Sequence, residues 1–134
     1  MQLCKSALEV LEETSRTFYI PISRLPSGLQ EAVASGYLCM RAIDEIEDHP
    51  TLDNALKAKL LQIISLTLQS GTHEMRATDL SAALSDYKDL LPEVSYRIGE
   101  WALLAPESIA PRIWDATAAM SDRMAYWARI NWKI

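Results

Sequence analysis

The chain has 134 residues, about half of them apolar, which is enough for one compact domain with a single core and too short for two ordinary ones. Its 18 acidic residues outweigh 13 basic ones for a net charge of −5, and no run of Lys or Arg interleaves with aromatics, so its field repels nucleic acid. No charge-free apolar stretch reaches the roughly 18 residues of a membrane span, and the start lacks the basic-then-apolar layout of a signal peptide; the expected location is the cytosol, with peripheral contact at a membrane surface.

In chain order, Leu3, Ala7, Leu8 and Leu11 recur at helical spacing opposite Lys5, Glu9, Glu12 and Glu13, predicting an amphipathic helix over 2–14. The segment SRTFYIPISRLPSG holds two prolines and reads as a turn followed by a short helix or irregular stretch. Ser27 is the expected N-cap of the next helix, in which Leu29, Val33, Tyr37, Met40, Ile43 and Ile46 keep a helical period to about Asp48, ahead of Pro50. Asp53 is placed to cap a helix over 54–70, with Leu56, Leu60, Ile63, Ile64 and Leu68 as its apolar face and Gly71 as its left-handed terminator. Residues 72–80 read as a polar connector. Leu80–Leu91 reads as a short helix, Pro92 opens another to about Leu104, and Pro106 interrupts it. From Pro111, the positions Ile113, Trp114, Thr117, Met120, Met124 and Trp127 mark a last helix.

Sustained two-residue alternation is absent, as are GxGxxG, GxxxxGK and HExxH, so the expected class is all-α. Cys4 and Cys39 form no CxxC and have no histidine cluster near them, which excludes a zinc site and a disulfide framework; both are expected reduced and on core-facing positions. His49 and His73 lack partners at ligand spacing and are assigned no role. Trp101, Trp114, Trp127 and Trp132 read as core or interface anchors.

One cluster stands apart. On a helix, Asp44, Glu47 and Asp48 project from one face across adjacent turns, while Glu45 points elsewhere. Like charges at this spacing cost about 0.2–0.5 kcal/mol per pair, and negative charge is disfavoured at a helix C-terminus. Mg²⁺ compensates such a group directly, because it takes hard oxygen ligands and is commonly held by one or two carboxylates together with substrate phosphates. Asp44 and Asp48 are the expected ligands, with Glu47 as a third ligand or hydrogen-bond acceptor behind them. Arg41, three residues before Asp44, is placed to meet a diphosphate oxygen or to pair with a carboxylate, and Tyr37 lies one turn further back. The competing reading of the same residues is a solvated acidic helix end with Arg41 as an intrahelical partner, and Ser15 and Arg16 as an ordinary helix start.

In its surroundings the cluster is more specific. Ser15-Arg16-Thr17-Phe18, Leu25-Pro26 and the run Gly36-Tyr37-Leu38-Cys39-Met40-Arg41-Ala42-Ile43-Asp44-Glu45-Ile46-Glu47-Asp48 resemble the N-terminal block of the squalene and phytoene synthase family, with its SRSF-like segment, Leu-Pro and R-x-x-D-x-x-x-D helix. The resemblance covers about residues 15–48, weakens over 51–110 and returns faintly around Met120 to Trp127. It implies an all-α, multi-helix isoprenoid-synthase-like bundle in which two aspartate-rich motifs face each other across a cavity and hold Mg²⁺ ions that grip prenyl diphosphates. It assigns Asp44, Glu47 and Asp48 to the metal, Ser15, Arg16 and Arg41 to the diphosphate, and Tyr37 to the reaction centre beside Arg41. The implied chemistry is head-to-head joining of farnesyl or geranylgeranyl diphosphate, with NADPH use left open.

A second DxxxD is missing: Asp79, Asp86, Asp89, Asp115 and Asp122 each lack an aspartate four residues on. The chain is therefore expected to be the N-terminal half of the full fold, with apolar faces that invite self-association or the missing half, and with little or no synthase activity alone. The alternatives are a noncatalytic helical module that binds an isoprenoid diphosphate or a partner protein, and a helical interaction domain whose acids only solubilise it.

Overall fold

The computed structural model describes residues 5–69 and 73–130, and its regular structure among them is entirely helical. Eight α-helices and one 3₁₀ turn follow in order: α1 (Lys5–Thr14), α2 (Arg16–Ser23), α3 (Leu29–Glu47), α4 (Asn54–Leu68), α5 (His73–Leu84), the 3₁₀ turn (Ser85–Leu90), α6 (Glu93–Tyr96), α7 (Ile98–Ala102) and α8 (Ala110–Arg129). The all-α expectation holds. The readings for Cys4, Gly71, the His73 side chain and Trp132 lie outside the described residues.

The longest inward face belongs to α3, which packs against α1, α2, α4, α6, α7 and α8, while α4 and α8 form the broadest pair. The inward positions of α3 include Ala34, Ser35, Ala42 and Cys39, small side chains that allow close approach, together with Leu38, Ile43 and Ile46, all without solvent exposure. Three buried serines fasten helix to helix. Ser35 Oγ donates to Trp101 O at 2.7 Å, Ser95 Oγ to Ala42 O at 2.8 Å, and Ser121 Oγ to Leu61 O at 2.6 Å. A buried hydroxyl without an acceptor costs about 1–3 kcal/mol, so these bonds specify which turns face each other. Trp101 and Trp114 are core residues, their indole N–H groups donating to Val94 O and Ala102 O. Trp127, expected to anchor a core or interface, is 43% exposed.

Several local expectations are corrected. The second segment is not among them: it forms the short helix α2, one of its two expected forms, with Pro21 near its end and Pro26 after it. Gly28, not Ser27, is the N-cap of α3; its φ of +91° suits a residue without Cβ, and its N–H donates to Glu31 Oε2 at 2.8 Å. The connector at 72–80 is mostly helix, because α5 begins at His73, and the helix expected over Leu80–Leu91 ends at Leu84 and tightens into the 3₁₀ turn. The helix expected from Pro92 to Leu104 breaks at Arg97 into α6 and α7. Arg97 there bonds Glu93, Glu100 and Ser6, and its guanidinium lies 4.5 Å from the Trp101 ring centroid. Asp53 caps α4 as read, accepting from Leu56 N at 2.8 Å.

Candidate functional site: the acidic end of α3

The C-terminal half of α3 carries the site. Four residues per step place Tyr37, Arg41 and Glu45 in one row and Asp44 with Asp48 in the next, and the helix is continuous between the two aspartates, Asp48 N donating to Asp44 O at 2.9 Å. Asp44 is half-buried and Asp48 exposed. Burial first, then the charge of Asp48, pushes the Asp44 carboxyl above the usual carboxylate range, against the pull of Arg41. Glu47 is raised by burial and by Asp48 and Asp44, while the Lys57 ammonium draws it back. The cluster is thus electrostatically uncompensated in the direction that a cation corrects.

Among the described residues no three acid, histidine or cysteine side chains converge on a ready-made cage. Two carboxylates one turn apart fit Mg²⁺ all the same, because that ion keeps several waters and completes its shell with phosphate oxygens.

Arg41 pairs with Glu45 at 2.8 Å, its side chain 39% exposed, and its Nε is buried without an acceptor. Glu45, read as pointing elsewhere, is the partner that occupies this guanidinium. A pair this exposed contributes at most about 1 kcal/mol, so an arriving phosphate can displace it. Tyr37 is half-buried and its ring lies 5.4 Å from that of Phe18, tilted by 42°. This contact links the start of α2 to the site-bearing face of α3. Ser15 caps α2, its Oγ accepting from Phe18 N at 3.3 Å, which leaves its own proton free to donate; Arg16 is exposed at the first position of α2. The other end of α2 is fixed by Gln30, whose Nε2 donates to Ile22 O and Ser23 O.

Two residues near the site escaped the sequence reading. His49 Nδ1 accepts from Thr51 N and Leu52 N at 3.2 Å each, and Nε2 meets Leu90 O at 2.8 Å; these partners place the ring proton on Nε2. His49 therefore folds the α3–α4 turn and ties it to the 3₁₀ segment. Lys57 Nζ donates to Glu47 O at 2.8 Å. The available signal was position: Lys57 is the first Lys or Arg after the acid run, one turn beyond the Asp53 cap. Cys39, read as a reduced core residue, is buried beneath this face with its thiol pushed up to about 12 by desolvation, which keeps it protonated and unreactive.

With this geometry in view, the sequence matches the family model for squalene/phytoene synthase over residues 11–118. The chain belongs to the squalene/phytoene synthase family. It is 32% identical over 131 residues to the squalene synthase of Schizosaccharomyces pombe, covering 96% of this chain and 27% of that protein. It is 33% identical over 121 residues to that of Eremothecium gossypii, covering 90% and 26%, and 43% identical over 109 residues to that of Candida albicans, covering 68% and 24%. The chain thus spans about a quarter of the length of the curated relatives it matches. No solved structure matches it. Family membership extends the resemblance well past Asp48, through α4 to α7 and into α8. No helix among the described residues is long and apolar enough to cross a membrane.

Proposed function

We propose that this chain supplies the first acidic motif of a Mg²⁺-dependent prenyl transferase that joins two prenyl diphosphates, farnesyl or geranylgeranyl, head to head. The observation that carries the reading is the one-turn pair Asp44–Asp48 beside Arg41, whose Nε lacks an acceptor, in a chain of this family. Asp44 and Asp48 would hold the ion, with Glu47 as ligand or as acceptor to its waters. Bound Mg²⁺ would supply charge that stabilises the departing diphosphate.

The chain's own residues supply the rest. Arg41, released from Glu45, donates to diphosphate oxygens, joined by Arg16 and the free Ser15 proton. Tyr37 and Phe18 present an aromatic wall that keeps water from the allylic carbon as its bond to oxygen breaks. The whole protein would act in the cytosol or at a membrane surface, where prenyl chains partition.

Calorimetry of the chain with farnesyl diphosphate, with and without Mg²⁺, tests the reading. Binding should require Mg²⁺ and be lost in D44N and D48N; equal binding in chelator, or an unaffected D44N, overturns it. A noncatalytic diphosphate-binding module is the second reading, favoured by the exposed apolar side chains of Phe18, Ile20 and Leu29; metal-dependent binding without turnover by any longer form of the protein would select it.

A further inference from the structure

The acidic end of α3 has a charge imbalance that its own sequence does not relieve. No basic residue lies in its last turn, and the terminal carbonyls there present the negative end of the helix dipole. Arg41, one turn earlier, is engaged by Glu45. The cation that meets this end comes from another helix: Lys57 of α4, whose Nζ donates to the Glu47 carbonyl.

Local geometry fixes that reach. His49 folds the loop after α3 by accepting from Thr51 N and Leu52 N. Asp53 then starts α4, its side chain accepting from Leu56 N and its carbonyl from Lys57 N at 3.0 Å, so Lys57 stands one turn into α4. An ammonium bonded to a terminal carbonyl satisfies an orphan acceptor and places positive charge against the dipole.

We infer that Lys57 is a positioning residue for the Mg²⁺ site: a resident counter-charge that keeps the acidic end of α3 formed before the divalent cation arrives, and whose compensating role the cation takes over on binding. The inference rests on the metal reading above. An ordinary lysine cap would stabilise the chain equally with and without metal. The two accounts therefore differ in a single measurable quantity, the coupling between Lys57 and the cation.

The test is thermal melting of the full chain as wild type, K57M and K57R, each in chelator, in Mg²⁺, and in Mg²⁺ with inorganic pyrophosphate. Methionine keeps the stem and removes the charge. K57M should lose about 3–6 °C more in chelator than in Mg²⁺, so its Mg²⁺-induced rise exceeds that of wild type, while K57R follows wild type. If K57M does not melt cooperatively, K57Q carries the same comparison, since it retains a donor for the carbonyl. Equal losses in chelator and Mg²⁺ make Lys57 a plain cap and overturn the inference while the metal reading stands. A wild-type chain whose melting ignores Mg²⁺, with and without pyrophosphate, removes the metal reading and this inference together.

Discussion

Asp44 is where folding and the proposed metal binding pull in opposite directions. Its carboxyl is raised by burial and by Asp48, so the folded chain binds that proton more tightly than the unfolded chain does. The stabilising contribution is complete below the ordinary carboxylate range and is lost as pH rises through the elevated value, leaving a charged, repelled side chain at neutral pH. Asp44→Asn should therefore raise stability at neutral pH in chelator by about 0.5 kcal/mol, the scale of one relieved like-charge pair. It should bring little gain in acid and should abolish stabilisation by Mg²⁺. Melts at neutral and acid pH, with and without Mg²⁺, check all three; a gain independent of pH would contradict the electrostatic account. Asp44, Asp48 and Arg41 could be read from the sequence because a continuous helix fixes their separations. His49 and Lys57 could not, because the first reaches 41 residues along the chain to Leu90 and the second crosses a loop to Glu47.

Among the elements, α3 carries the acidic pair, Arg41 and Tyr37, and its start depends on Gly28. That residue has φ +91°, and a Cβ built on it meets nothing within 4 Å, so Gly28→Ala introduces backbone strain without a clash. The cost should be about 1–3 kcal/mol, visible as a lower midpoint in chemical denaturation with an unchanged slope; a neutral G28A would mean that the turn relaxes into another conformation. The sequence named Ser27 as the cap because serine is the better side-chain capper, yet here the required backbone angle and the reach of Glu31 decide the position. Asp53 shows the opposite case, in which side-chain chemistry and backbone geometry agree and the cap is legible. The start of α5 was hidden by its weak amphipathic pattern, although Glu74, Met75, Arg76 and Ala77 are all good helix formers by propensity. The break at Arg97 was hidden for a different reason: its partners Glu93, Glu100 and Trp101 stand at helical spacings that read as one continuous helix, and only its bond to Ser6 is tertiary.

At the scale of the molecule, the interior is well specified while parts of the surface remain apolar. Three buried serine bonds and two indole bonds fix how the helices meet, but Phe18, Ile20 and Leu29 each stay more than half exposed along α2 and the start of α3. All-α architecture was legible from helical periodicity, whereas the pairing of α4 with α8 was not, since it joins segments about 60 residues apart through contacts such as Ser121 to Leu61. Catalysis places a heavier demand than folding. Ionising an allylic diphosphate requires its charge to be met and water to be excluded at once, and the chain offers one DxxxD pair and about a quarter of its relatives' length. The isolated chain with Mg²⁺ and farnesyl diphosphate should therefore bind substrate through Asp44 and Asp48 yet release no joined hydrocarbon over a prolonged incubation, as followed by extraction and chromatography of labelled substrate. Sustained product formation by these 134 residues alone would show that one acidic pair suffices and would overturn the expectation that a second one is needed.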